Sequence, residues 1–569
     1  MRLKGNILTA LLLLMMTVIL SAGISASEQV CYIGEDTETL YTLNEAINTA
    51  QAGSTIHLIA NAELNETNTS NNRMTIGKAL TIDGANGENK FTIMFKAEAQ
   101  IMGASATVTF TNVKLDLNSK RIRTDNAGAK LVFGRGTLVT GGSGVNGGAV
   151  QVNNTSELVL EEGSTITDCH ADTSNGGAIF VNGGTVTVNS GARIENCTAS
   201  GNGGAIIVQN SGDYQGSAII NGGEITGNTG VNGTGGIYMH QGTLTLSGDA
   251  VVTGNTRTSD SATRNIQLTS ADQLTLSGTF TGSAGVFINP ATVGTVFGIA
   301  GEGASGSENI FYDGNNTSTQ LYGIIDGTNL VFGKSGVAYI GDNKYNRMTL
   351  NEAISTAAPG STIHLAADAE LYETNTSNNR MTISKALTID GANGEGKFTI
   401  TFNAEAQIMG ESATVTFTNV KLNLKSKRIR TDNPGAKLVF GNGTLVTGGS
   451  GVNGGAVQVN NTSELVLEEG STITDCHADT SNGGAIFVNG GTVTVNSGAR
   501  IENCTASGGG GAIHVQGAAG KLNLLGGEIT GNTSNNGGGI YIYEGTLTIS
   551  GEAVVTGNKK GETNNNIQL

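Results

Sequence analysis

Three groups of side chains in this chain have types and spacings that could do chemistry. Carboxylates stand close in sequence as Asp168 with Asp172 and Glu161 with Glu162, and singly as Asp83 and Asp390 in two TIDG segments. Two carboxyl groups held about 5–9 Å apart can cleave a glycosidic bond; solvated acids at turns give the same sequence pattern. Basic residues concentrate in SKRIRTDN, at Ser119–Asn126 and Ser426–Asn433. These segments group Arg121, Arg123 and Asp125, and again Arg428, Arg430 and Asp432. Guanidinium pairs of this kind could grip an acidic sugar, and a charged outer strand reads the same way.

Cysteines form the third group: Cys169 with Cys197, and Cys476 with Cys504. His170 and His477 directly follow Cys169 and Cys476, but adjacent strand residues point to opposite faces. A thiol–imidazole pair is therefore not expected there. His57 and His364, both in STIHL, read as packed or half-exposed structural histidines, and Cys31 has no evident partner. Thiols and histidines do not complete a four-ligand zinc set. No catalytic, metal or cofactor residue is assigned.

The elements that must position these groups are strands. The 569 residues include 86 Gly, only 3 Pro and no Trp, with aromatics at 5% and hydrophobics at 37%. Glycine costs about 1 kcal/mol per helix position, which disfavours helix bundles. The absence of a glycine at every third residue excludes collagen. Runs of Val, Ile and Thr broken by Gly-Gly and Asn-Gly predict many short strands with tight turns. With 31 basic against 47 acidic residues, the net charge of −16 argues against nucleic acid as a partner.

At the N-terminus, Arg2 and Lys4 precede the apolar run Ile7 to Leu20 and the small residues Ser21 to Ala26. That three-part composition predicts a secretory signal peptide over residues 1–26. No later stretch is apolar enough to predict a membrane span.

A long duplication organises the rest. Thr42–Ile47 (TLNEAI) recurs at Thr349–Ile354, and the same offset relates Cys169 to Cys476 and Cys197 to Cys504. The expected division is a first β-helix copy over 27–268, a β-rich cap or connecting module over 269–336, and a second copy over 337–569. The second copy stops at NIQL (Asn566–Leu569), where the first continues past Asn265–Leu268. That predicts a fragment of a longer protein, or a truncated reading frame. Within copy one, Val150, Ile179, Ile206 and Ile237 recur at spacings of 29, 27 and 31; in copy two, Val457, Ile486, Ile513 and Ile540 recur at 29, 27 and 27. Each unit reads as three short strands with turns between them, which is one coil of a parallel β-solenoid. Roughly ten coils per copy are expected, stacked at about 4.8 Å. Cysteines at equivalent positions in neighbouring coils would then fall within disulfide range, or fill the ladder as small buried thiols. Leu, Ala and Ile at helical spacing in Thr42–Ala50 and Thr349–Ala357 predict a short capping helix at the start of each copy.

The coils carry a recurring tetrapeptide at Gly147–Val150, Gly176–Ile179, Gly203–Ile206 and Thr234–Ile237. It returns at Gly454–Val457, Gly483–Ile486, Gly510–Ile513 and Gly537–Ile540. It alternates with an aliphatic residue followed three later by Cys or Asn: Ile166/Cys169, Ile194/Cys197, Ile225/Asn228, Val252/Asn255. The pattern resembles the paired GGA(I/L/V) and FxxN motifs of the chlamydial polymorphic outer-membrane protein repeat. Here Ile or Val stands for the Phe, and Cys for two of the four Asn per copy. The resemblance covers about Gly147–Asn255 and Gly454–Asn558. It implies an all-β, right-handed parallel β-helix at the cell surface, with adhesion to host or matrix protein or glycan. A polysaccharide lyase or glycoside hydrolase on the same fold is the alternative expectation.

Overall fold

A computed structural model describes residues 28–569 apart from positions 68, 88, 314–319 and 395. The signal-peptide expectation falls on residues 1–26, outside the described residues. The chain divides into two compact units, residues 1–333 and 334–569. Both are parallel β-solenoids, together about 19 turns.

Alternation builds each coil. In Thr185–Asn189 the burial runs intermediate, buried, intermediate, buried, intermediate. Val186 and Val188 face the interior and the threonines face out. The next coil repeats the pattern in register, Val186 against Ala218 and Val188 against Ile220. Burying each such aliphatic side chain contributes about 1.5–3 kcal/mol, and the stack turns these contributions into one continuous core. The spacings read from the sequence are the coil lengths: Val150 pairs with Ile179, Ile179 with Ile206, and Ile206 with Ile237.

Coil number and coil anatomy differ from expectation. Unit 2 has faces of nine, eight and eight strands. The nine include an antiparallel first strand, Ala338–Ile340, so the unit has eight coils rather than ten. Each later coil also carries a short fourth strand, such as the two-residue His170–Ala171 and Thr198–Ala199 of unit 1, in a separate sheet of six strands in unit 1 and five in unit 2. Two-residue strands have no readable periodicity, which is why three were expected.

The capping helices are present as Leu43–Thr49 and Leu350–Thr356. Thr42 accepts from the Glu45 N–H while Glu45 accepts from the Thr42 N–H, and Thr349 with Glu352 does the same. Such a capping box satisfies two end donors of a helix too short to persist alone. Leu43, Ala46 and Ile47 turn inward. Among the described residues no helix is long and apolar enough to cross a membrane.

Glycines of the tetrapeptide have two separate reasons. The first sits at positive φ, +72° at Gly147 and Gly176, where a side chain is disfavoured. The second has no room: a Cβ on Gly148 would lie 2.1 Å from the Gly177 carbonyl oxygen, and one on Gly177 would lie 2.1 Å from that of Gly204. At the opposite corner the residue before each ladder position is also left-handed: Asp168, Asn196, Gly227 and Gly254 have φ of 52°, 54°, 66° and 67°. Asp, Asn and Gly are the residues that tolerate this geometry.

Candidate functional site

Stacked coils bring together residues that are one coil apart in sequence, and this decides which candidate groups meet. In the first sheet of unit 1, His57 pairs in parallel register with Asp83. His57 Nδ1 lies 3.5 Å from Asp83 Oδ2, and the ring of Tyr32 stacks on the imidazole at 5.0 Å. Asn112 Nδ2 donates to Asp83 Oδ1 at 3.1 Å, and so does the Ala85 N–H at 3.2 Å. Unit 2 repeats the arrangement: His364 lies 3.4 Å from Asp390, Tyr339 stacks on His364 at 5.2 Å, and Asn419 donates to Asp390 at 3.2 Å. Both histidine side chains are about one-third exposed (32%). Each column thus sets an imidazole beside a carboxylate of the adjacent coil, in contact without a hydrogen bond between the two side chains. Both histidines are part-exposed strand residues, and each carboxylate neighbour arrives from the adjacent coil.

The Arg-rich segments lie on another face and are internally paired. Glu98 takes Arg73 and Arg121 at 3.1 and 3.0 Å. Arg121 also donates to the Asn146 carbonyl. Asp125 accepts from Arg123 at 3.1 Å, from Asn153 at 2.7 Å and from Gln100 at 2.5 Å. Arg123 reaches one coil further to Gln151 at 3.0 Å. Burial pushes the Asp125 carboxyl up, but the bonds from Arg123 and Gln100 outweigh it and hold the pKa below the usual range. Unit 2 matches it with Glu405 between Arg380 and Arg428, and Asp432 between Arg430, Gln407 and Asn460. The donors that would grip an acidic sugar are thus already engaged across coils.

The remaining carboxylate candidates face different partners. Asp168 takes the Thr167 hydroxyl at a left-handed turn. Asp172 takes the Ser143 hydroxyl at 2.6 Å and lies 3.6 Å from His170 Nε2. Glu161 accepts from Asn189 of the next coil. Cys169 is buried while the neighbouring His170 side chain is 44% exposed, which is the expected opposition of adjacent strand residues.

All five cysteines are free and buried. Cys169 and Cys197 occupy successive coils, and their thiols donate to Thr167 O and Glu195 O, both at 3.3 Å. Burial, with Cys169 alongside, raises the Cys197 thiol well above its ordinary value, and Cys504 beside Cys476 is raised likewise. Burial also pushes the Cys31 thiol up to about 12. Such thiols are poor nucleophiles. Below Cys197 the ladder continues as Asn228, whose Oδ1 accepts the Cys197 N–H at 2.9 Å, and then Asn255.

No group of three or more His, Cys, Asp or Glu that could hold a metal ion occurs among the described residues. A cavity of about 290 Å³ lies beside Ile47, Thr75 and Lys78. Lys78 there donates to the Asn48 and Ala50 carbonyls at the end of the capping helix, which is a structural use of the cation.

One outward column is common to both units and largely free of charge. In unit 1, Thr81, Thr109, Val132, Val159 and Thr187 stand one above another; in unit 2, Thr388, Thr416, Val439, Val466 and Thr494 do. All are β-branched and half-buried. With strands about 4.8 Å apart they form a flat, stiff ladder.

The fold and these faces define a parallel β-solenoid with repeated lateral surfaces. No protein-family model matches the chain, and no curated protein matches it either. Among solved structures, an arginine-to-alanine mutant of a PL6 family alginate lyase is similar over 90% of this chain and 97% of its own. The identity is 11% and the TM-score 0.17.

Proposed function

We propose that this protein is a secreted or cell-surface, right-handed β-solenoid of adhesin-like function. It binds host-surface or matrix protein or glycan through its lateral faces. The observation that carries this reading is the β-branched outward ladder, present once in each unit with the same residue types in the same register. A stiff, preformed face loses little side-chain entropy on binding. Two such faces on one chain add valency without a new contact. Internal pairing of the Arg segments and a net charge of −16 favour neutral or basic ligand surfaces over acidic ones.

The His57–Asp83 and His364–Asp390 pairs favour a second reading, a carbohydrate-cleaving enzyme in which the imidazole takes a proton. An array of neutral and acidic glycans and matrix proteins, with soluble sugar assayed in the same wells, separates the two. Retention without release, weakened by Thr187→Lys with Thr494→Lys, supports binding. Release of reducing or unsaturated ends, abolished by His57→Ala with His364→Ala, overturns it in favour of the enzyme.

A further inference from the structure

Asn-Gly occurs 13 times in the chain, and this step carries a reaction of its own. The glycine amide nitrogen can attack the asparagine Cγ, since a following residue without a side chain leaves the approach open. The attack needs an N–H that is not already donated and a peptide plane that can turn. Within the coils these conditions fail. Gly147 donates its N–H to Asn175 O at 3.1 Å, Gly176 to Asn202 O at 3.0 Å, Gly454 to Asn482 O at 3.0 Å and Gly483 to Gly509 O at 2.9 Å. Gly183, Gly222 and Gly490 likewise donate to a carbonyl one coil on, and Gly537 donates to the Gln568 side chain. Turning such a peptide breaks a hydrogen bond that joins two coils.

Three of the remaining steps are held by other bonds. Asn202 Oδ1 accepts the Thr234 N–H at 3.3 Å, and Asn232 Nδ2 donates to Ser200 O at 2.9 Å. The Asn442 carbonyl accepts from the Asn419 N–H at 2.8 Å and the Thr418 hydroxyl at 3.1 Å, which fixes the Asn442–Gly443 peptide. The last two steps, Asn86–Gly87 and Asn393–Gly394, stand outside the coils. Each is at the tip of a small antiparallel hairpin, with Asn86 paired to Asn89 and Asn393 to Gly396. All four residues of these steps are exposed. Gly87 and Gly394 have φ of +58° and +54°, and nothing lies within 4 Å of where a Cβ would stand. Among the described residues, neither N–H is donated to another coil. A hairpin of two rungs opens at small cost compared with the coil stack.

We propose that Asn86 and Asn393 are spontaneous modification sites, converting to aspartate and isoaspartate while the coil stack protects the Asn-Gly steps within it. Gly87 N bonds to Asn86 Cγ, the Cγ–Nδ2 bond breaks, and ammonia leaves with the proton of the glycine amide. The product is a cyclic imide. Water opens it at Cγ to give aspartate, or at the main-chain carbonyl carbon to give isoaspartate; Gly394 and Asn393 react in the same way. Water is the sole co-reactant. Each conversion places a new carboxylate next to Ala85 or Ala392, whose N–H groups hold Asp83 and Asp390 at 3.2 Å. The faces that carry His57 and His364 thereby become more acidic as the chain ages, whichever ligand the lateral surfaces bind.

The test incubates the full chain in mildly alkaline buffer, native and in urea, and follows each Asn-Gly peptide by mass spectrometry with aspartate and isoaspartate separated. In the native chain Asn86 and Asn393 should convert at least tenfold faster than Asn175 and Asn482, and in urea the four rates should converge. Equal native rates at hairpin and coil steps overturn the proposal. So does a native difference that persists in urea, which would place its cause in local sequence rather than in the stack. Aspartate formed without isoaspartate overturns the cyclic route.

Discussion

Gly148→Ala isolates the steric reason for the second glycine of the tetrapeptide, because Gly148 lies outside the positive-φ region. The added Cβ would stand 2.1 Å from Gly177 O, 2.6 Å from His170 N and 2.7 Å from His170 O. All three are backbone atoms of the next coil, and Cβ contacts below 3.0 Å essentially do not occur. Relief requires the coils to part by about 1 Å against a spacing of about 4.8 Å. That movement stretches Gly148 N–H to Gly176 O, now 3.1 Å, and Ala149 N–H to Ala178 O, now 2.8 Å. Two weakened bonds at about 1 kcal/mol each and about 1–3 kcal/mol of overpacking give a loss of roughly 3–5 kcal/mol. Gly34→Ala is the control: φ is +64° but nothing lies within 4 Å, so only about 1–2 kcal/mol of backbone strain is expected. Urea unfolding followed by far-UV circular dichroism, with hydrogen exchange over residues 142–180, reads both. Equal losses for the two variants would refute the steric account of the glycine ladder.

Three further expectations follow from named contacts. Asn228→Ala leaves the Cys197 N–H and the Ile194 and Thr226 carbonyls without their buried partner; it should cost about 2–4 kcal/mol in urea unfolding, against under 1 kcal/mol for the exposed Asn232→Ala. His514 is buried between Phe487 and Tyr541, its ring nitrogens without hydrogen bonds, and burial pushes its pKa down from 6.5 to about 4. The unfolded chain therefore binds the extra proton first, and stability is lost as pH falls from about 6.5 through 4, by about 3 kcal/mol in all. His514→Ile, the residue type unit 1 has at Ile207, should remove that dependence in acid-to-neutral urea titrations; an unchanged pH profile would count against it. Alkylation should label none of the five buried thiols in the native chain and all five after denaturation; one labelled thiol in the denatured, unreduced chain would mean that both cysteine pairs are bridged.

How far the sequence could be read follows from how the coils are marked. Where Gly-Gly and the Cys/Asn positions mark every coil, from Gly147 to Asn255, strand register was legible from spacing alone. The helix at Leu43–Thr49 was legible because three apolar residues fit one face. His57 with Asp83 was not: they lie in the early coils, which lack the tetrapeptide, and neither segment signals its neighbour. Aligning the Ile56 and Ile82 strands would have exposed the pair. Arg121 and Arg123 read as a concentrated basic cluster because Glu98 and Gln151, which accept hydrogen bonds from them, arrive from adjacent coils. Asp168 was open to reading as an acid at a turn, and its left-handed backbone puts it at a corner.

The most direct test of lateral binding compares four chains on the same immobilised glycan and matrix-protein array: unaltered, Thr187→Lys, Thr494→Lys, and both together. If each unit contributes one face, either single change should weaken retention on the order of 10²-fold through lost avidity, and the double change should abolish it. Retention unchanged in the double variant, with or without sugar release, would contradict the claim that these ladders bind the ligand.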